Sequence, residues 1–188
     1  MAQNMGNEDE IVRTRQIFYK NLYLLLKLLE NRDSKAIPIL EKIKELECSI
    51  NPEDMTYDAY CEIPNLLGRI VRKDLDPAAR RLYPMALEEF YRNAGYEQES
   101  EKPDHITTML AFMIQLLNDE EEALLTKNID EINKIRRIQH RFLNIHLIPL
   151  LENYEQNTPT KQLIKCIGKY LKEDLQLLHF FLTKQTSR

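Results

Sequence analysis

The sequence predicts an all-α fold, a single-domain multi-helix bundle, and three observations carry that reading. Only four glycines occur, at positions 6, 68, 95 and 168 of 188 residues, so turns are few. No segment alternates apolar β-branched residues with period two, whereas apolar residues recur again and again at spacings of three, four and seven. The length suffices for one sizeable core and is short for two, so residues 1–188 read as one helical domain.

Each element follows from local chemistry. Residues 1–7 are expected to be disordered, and Ile11, Phe18, Leu22, Leu25, Leu26 and Leu29 gather on one face of a helix from about Glu8 to Glu30. Ser34 is placed to cap a second helix carrying Ala36, Ile39, Leu40, Ile43 and Leu46. Asn51-Pro52, Asp76-Pro77 and Thr158-Pro159 each pair a capping acceptor with a proline at the first helical position, where its missing N–H costs nothing. Pro84 is expected to break any continuous helix over 77–94, and Gly95 to stop the helix that carries Phe90. Residues 96–103 form a loop into the next helix, whose stripe is Ile106, Met109, Leu110, Met113 and Leu117. The run Asp119-Glu120-Glu121-Glu122 reads as solvated surface or a turn. A following helix holds Ile132, Ile135, Ile138, Phe142 and Ile145, with Lys134, Arg136, Arg137 and Arg141 read as solvated, and Pro149 interrupts or kinks it. The last helix starts at Pro159 and buries Leu163, Ile167, Tyr170, Leu171, Leu175 and Leu178.

Composition narrows the function. A formal net charge of −4 argues against nucleic acid as a bulk partner. Apolar runs are short and the N-terminus carries Glu8, Asp9 and Glu10, so neither a membrane span nor a secretory signal is expected. Cys48, Cys61 and Cys166 are odd in number and widely spaced, which suggests reduced, mostly buried thiols and a cytoplasmic location. Gly168-Lys169 lacks the upstream glycine of a phosphate loop, and Ser49, Ser100 and the cysteines sit in no nucleophile motif. His140 and His146 lie about 240° apart on a helix and so face different ways, and no cofactor is implied.

The stretch Glu101-Lys102-Pro103-Asp104-His105-Ile106 stands out, because proline fixes an extended approach and a sharp turn into the apolar run from Met109 through Phe112 and Met113 to Leu117. Two readings stay open for Asp104 and His105. One makes them a helix cap and a backbone tether; the other makes them part of a recognition surface, with the Met109, Phe112 and Met113 turn as an apolar groove.

Glu101-x-Pro103-Asp104-His105-Ile106, followed by Leu110-x-Phe112-Met113-x-x-Leu116, resembles the signature of the TorD/DmsD/NarJ family of redox-enzyme maturation chaperones. Arg141-Phe142-Leu143-x-x-His146-Leu147-Ile148-Pro149-Leu150 resembles that family's phenylalanine and His-Leu segment, and similarity spans roughly Tyr91 to Leu178. The chain departs from the family in having no tryptophan, and Tyr60-Cys61-Glu62 is a loose counterpart of its aromatic-acidic segment. The resemblance implies a cytoplasmic chaperone that binds the twin-arginine signal peptide, or the body, of a molybdopterin oxidoreductase and delays its export until the cofactor is in place. It implies no enzymatic activity, and both a monomer and a helix-swapped dimer are compatible with it. Under this reading Glu101 and Asp104 accept the arginines, Pro103 stiffens the corner, His105 and His146 anchor peptide or loop, and Met109, Phe112, Met113, Phe142 and Leu147 supply apolar surface. A helical adaptor with an unrelated client, and a metal-dependent hydrolase built on His105, His140 and His146, are the competing readings.

Overall fold

The structure is a computed structural model that describes residues 2–44, 58–97 and 101–186. Helices account for its regular structure: α1 (Ala2–Glu30), α2 (Ala36–Lys44), α3 (Gly68–Val71), α4 (Pro77–Asn93), α5 (Ile106–Leu125), α6 (Ile129–Phe142), α7 (Ile148–Glu152) and α8 (Thr160–Thr186). A 3-10 turn (Ile63–Asn65) precedes α3, and a π-helical turn (Leu143–Leu147) joins α6 to α7. Among the described residues there is no β-strand, only one isolated antiparallel bridge between Leu67 and His105. No helix among these residues is long and apolar enough to cross a membrane.

Helix α1 lies along α5, α5 and α6 form a hairpin, and α8 packs across α6 and α7. The core between them holds Tyr19, Leu25, Leu26 and Leu29 of α1, Leu110, Met113 and Leu117 of α5, Ile132, Ile135 and Phe142 of α6, and Leu163, Leu171 and Leu178 of α8. These are the apolar stripes of the sequence, and their burial is the main force holding the helices together.

Several boundaries follow the local signals. Asp76 caps α4 by accepting from the amides of Ala78 and Ala79. Gly95, at φ +92°, ends it: its amide donates to Arg92 and that of Tyr96 to Tyr91, the paired bonds of a Schellman cap. Arg32 and Lys127 close α1 and α5 in the same way at φ +56° without glycine.

Other expectations are corrected. Helix α4 runs straight through Pro84, because Tyr83, Leu87 and Tyr91 bury one face on both sides of the proline and offset the hydrogen bond it removes. Helix α8 begins at Thr160 rather than Pro159. Thr158 donates its hydroxyl to Glu62. Cys61 is a free thiol, in line with the expectation, but exposed rather than buried, and Cys166 is disulfide-bonded rather than reduced. The Asn51-Pro52 start, Leu46 and Cys48 lie outside the described residues.

Two polar readings are overturned as well. Glu120 of the acidic run and Arg136 of the basic helix are fully buried, at 0% exposure each. Arg136 donates to Glu120 at 2.6 Å and Arg15 to the same carboxylate at 3.0 Å, while Arg15 also binds Asp174 through two nitrogens at 2.5 and 3.1 Å. Gln139 bridges Arg15 and Glu120, and the Tyr19 hydroxyl donates to Asp174. This cluster joins α1, α5, α6 and α8. Burial works to lower the pKa of Arg15, but Asp174 and Glu120 prevail and hold it above the ordinary value; burial, and then Asp174, keep the Tyr19 phenol protonated.

Candidate functional site

Asp104 and His105 sit at the entrance of α5 and face inward, with 0% and 1% exposure. His105 is the N-cap of α5. Its Nε2 lies 3.0 Å from the Ile63 carbonyl, which can only accept, so Nε2 carries the proton and Nδ1 accepts the Thr107 hydroxyl at 2.7 Å. Burial depresses the imidazole pKa and favours this neutral form. Asp104 reaches across to α3: its Oδ2 accepts from the Arg69 amide at 2.8 Å and its backbone carbonyl from the Gly68 amide at 2.8 Å. Leu67, the N-cap of α3, supplies no side-chain acceptor, so Asp104 caps that helix from a distant part of the chain. Its Oδ1 is buried without a hydrogen-bond partner among the described residues. Tyr91 fixes the preceding turn by donating to the Pro103 carbonyl at 2.8 Å.

The second motif meets the first through rings. Phe112 and Phe142 are 4.8 Å apart edge to face, with Tyr91 at 4.7 Å from Phe112, and Phe90, Phe142 and His146 form a triangle of rings 5.0–5.5 Å apart. Pro149 has no N–H for the Ile145 carbonyl one turn back, and Arg72, at the end of α3, donates to that carbonyl at 3.0 Å. The same guanidinium grips both oxygens of Asp74 and reaches the Tyr83 hydroxyl at 3.3 Å, and that hydroxyl lies 3.2 Å from His146 Nδ1. Burial, followed by the charges of Arg72 and Arg141, pushes the His146 pKa down to about 4, so the imidazole is neutral and accepts from Tyr83. Burial likewise raises the Tyr83 phenol to about 12. Gly68 makes this arrangement fit, since a Cβ there would fall 2.2 Å from the Tyr83 ring.

Met109, Phe112, Met113, Phe142 and Leu147 are all buried in the core, and His146 nearly so. In this structure they support the surface from beneath and do not line it. Pro103 is also buried, and Glu101 is the exposed carboxylate of the motif. The three histidines of the hydrolase reading are not brought together: His105 contacts Ile63 and Thr107, His146 contacts Tyr83, and His140 faces His179 at 6.0 Å between ring centres.

A cleft of about 400 Å³ lies beside the elements that the two motifs hold, with no residue of either motif in its lining. Its walls are Cys61, Glu62 and Asn65, then Ile70, Val71 and Lys73 of the α3 region, then Asn153 to Gln156 after α7. His105 holds the first wall at Ile63, Asp104 holds the second at Arg69, and the second motif leads through α7 into the third. Glu62 accepts from the hydroxyls of Tyr154 and Thr158, which ties the first wall to the third; burial, then this bond to Glu62, raises the Tyr154 pKa and keeps it a donor. Glu155 forms an exposed ion pair with Lys73 at 2.6 Å. Neither Glu155 nor Arg72 was singled out from sequence, although Tyr60-Cys61-Glu62 had been.

Residues 76–153 match the family model for the nitrate reductase delta subunit. Over this stretch, less than half of the chain, the match is consistent with the NarJ/TorD-type chaperone family that the motifs resemble. The matched segment begins at the Asp76 cap of α4 and ends at the third wall of the cleft, so it starts earlier and stops earlier than the Tyr91–Leu178 span of the resemblance. It contains both motifs. The family consists of chaperones for molybdoenzyme maturation, whose partners are molybdoenzyme subunits.

Proposed function

We propose that this chain is a cytoplasmic chaperone that binds the twin-arginine signal peptide, and with it the apo form, of a molybdenum-cofactor oxidoreductase, and that the leader docks in the cleft between residues 61–65, 70–73 and 153–156. The observation that supports the reading is that both motifs hold segments bordering this exposed cleft: His105 binds Ile63, Asp104 binds Arg69, and the second motif runs through α7 into residues 153–156. Its chemistry suits the ligand. Glu62 and Glu155 offer carboxylates for two guanidinium groups, the Lys73–Glu155 pair being exposed and easily exchanged, and Ile70, 51% exposed, offers apolar surface to the hydrophobic part of a leader. Glu101 adds an exposed carboxylate. Pro103, Asp104, His105, Met109, Phe112, Met113, Phe142, His146 and Leu147 act as positioning residues that set the wall geometry.

Titration calorimetry with a synthetic twin-arginine leader of a molybdopterin oxidoreductase from the same organism tests this. Wild-type protein binds the leader and not a version in which both arginines are alanine. The double variant Glu62→Gln/Glu155→Gln loses at least about tenfold in affinity with an unchanged melting temperature, since each charge-assisted pair contributes about 1.5–3 kcal/mol. Absence of binding to any such leader, or wild-type affinity in the double variant, overturns the proposal.

A further inference from the structure

A second concave surface lies at the other side of α7, where α8 crosses it. Its floor is Leu151, Tyr154 and Ile164, and its rim carries Lys161, Lys165, Lys169 and Lys172. These lysines are four, four and three residues apart, so they occupy an arc of about 80° on α8. Among the described residues only Lys172 has an ion-pair partner, Glu152 at 2.7 Å. Four lysines against the carboxylates of Glu152 and Glu173 leave the lining of this apolar trough with a net charge of +2.

Gly168 lies about 20° outside that arc, on its Ile164 side, in the interior of a long helix, where glycine costs about 1 kcal/mol relative to alanine. No constraint in the fold calls for it. Its backbone is not in the left-handed region, and an added Cβ would meet nothing nearer than Leu151 Cβ at 3.9 Å, an ordinary contact. What the missing side chain does is keep the trough open between Leu151 and the lysines.

We propose that this groove is a second docking surface, and that its occupant is an acidic amphipathic helix of a protein partner, its apolar face on Leu151, Ile164 and Gly168 and its carboxylates on the lysine rim. Charge complementarity selects the occupant: a lysine rim repels an arginine-bearing leader, so this surface takes a different segment from the one assigned to the cleft. The apolar floor and the concave shape favour a helix over a nucleic acid or a flat lipid surface. The inference is independent of the leader-binding proposal and survives its failure.

The test uses the full-length chain and a fluorescein-labelled peptide of about 16 residues, with leucines at helical spacing and glutamates on the remaining faces. Fluorescence anisotropy is expected to show binding at least about tenfold tighter than for a scrambled peptide of identical composition. Gly168→Leu, which fills the trough without changing charge, and the surface pair Lys165→Glu/Lys169→Glu each weaken binding at least about tenfold while leader binding is unchanged. Circular dichroism confirms that each variant is folded, and the lysine pair, being exposed, decides the matter should Gly168→Leu not fold. Equal binding of ordered and scrambled peptides, wild-type affinity in the lysine variant, or equally tight binding of single-stranded DNA or anionic vesicles overturns the proposal.

Discussion

Two buried polar assemblies do opposite jobs in this protein. The cluster of Arg15, Glu120, Arg136, Gln139 and Asp174 carries full charges of both signs and pairs them within the chain, across four long helices; only Arg136 Nη1 of this cluster is buried without a hydrogen-bond partner among the described residues, and that guanidinium lies 4.3 Å from the Phe181 ring centre. The corner of Asp104 and His105 holds one carboxylate and a neutral imidazole, joins short segments only, and stands directly behind an exposed cleft. The first specifies how the bundle packs. The second specifies the shape of a surface, and substitutions should separate them accordingly.

The largest effect is expected in the charge cluster. Glu120→Ala leaves Arg15 and Arg136 without their shared partner and should cost about 3–5 kcal/mol, read as a shift of the urea midpoint. A loss under about 1 kcal/mol would mean that the cluster is dispensable and would erase the contrast.

The next effect is a pH dependence. His146 is neutral in the fold with its pKa pushed down to about 4, whereas the unfolded chain protonates near the ordinary imidazole value of 6.5. Below that value the unfolded state binds the extra proton, so stability falls as pH drops from about 6.5 to about 4, by about 2–3 kcal/mol for this residue. The buried His105, whose pKa is also lowered, acts in the same direction. Chemical denaturation across this window should show a smaller slope in His146→Gln than in wild type; an identical slope would contradict the assignment.

Asp104→Ala is expected to cost about 1–2 kcal/mol, the loss of a cap on α3, while weakening leader binding. Unchanged stability with lost binding would instead make Asp104 a contact residue. The smallest effect has the opposite sign: Gly168→Ala should stabilise the protein by about 0.5–1 kcal/mol, because α8 accommodates a Cβ there.

Much of the fold was legible because helix periodicity and capping act locally: the stripes of α1, α5, α6 and α8, the Asp76 cap and the Gly95 stop all stand in the sequence. Pro84 misled because tertiary burial on both sides outweighs one lost hydrogen bond. Glu120 and Arg136 misled because they sit in a run of charges, yet Glu120 keeps the register of Leu116 and Leu117, and Arg136 that of Ile132. A charge in phase with an apolar stripe was the available signal. The motif residues themselves were found, but their direction was not. Asp104 and His105 point at Arg69 and Ile63, which are distant in sequence, and no spacing rule encodes such pairings. The cleft depends on three separate segments and was visible only in the Tyr60-Cys61-Glu62 fragment.

Hydrogen–deuterium exchange of the full chain, with and without a twin-arginine leader, tests the central claim most directly. Slowed exchange is expected in residues 61–73 and 153–156, which form the walls of the cleft, with no change along Lys161–Lys172 of α8. Protection confined to α8, or none at the cleft walls while the leader is demonstrably bound, would contradict the account.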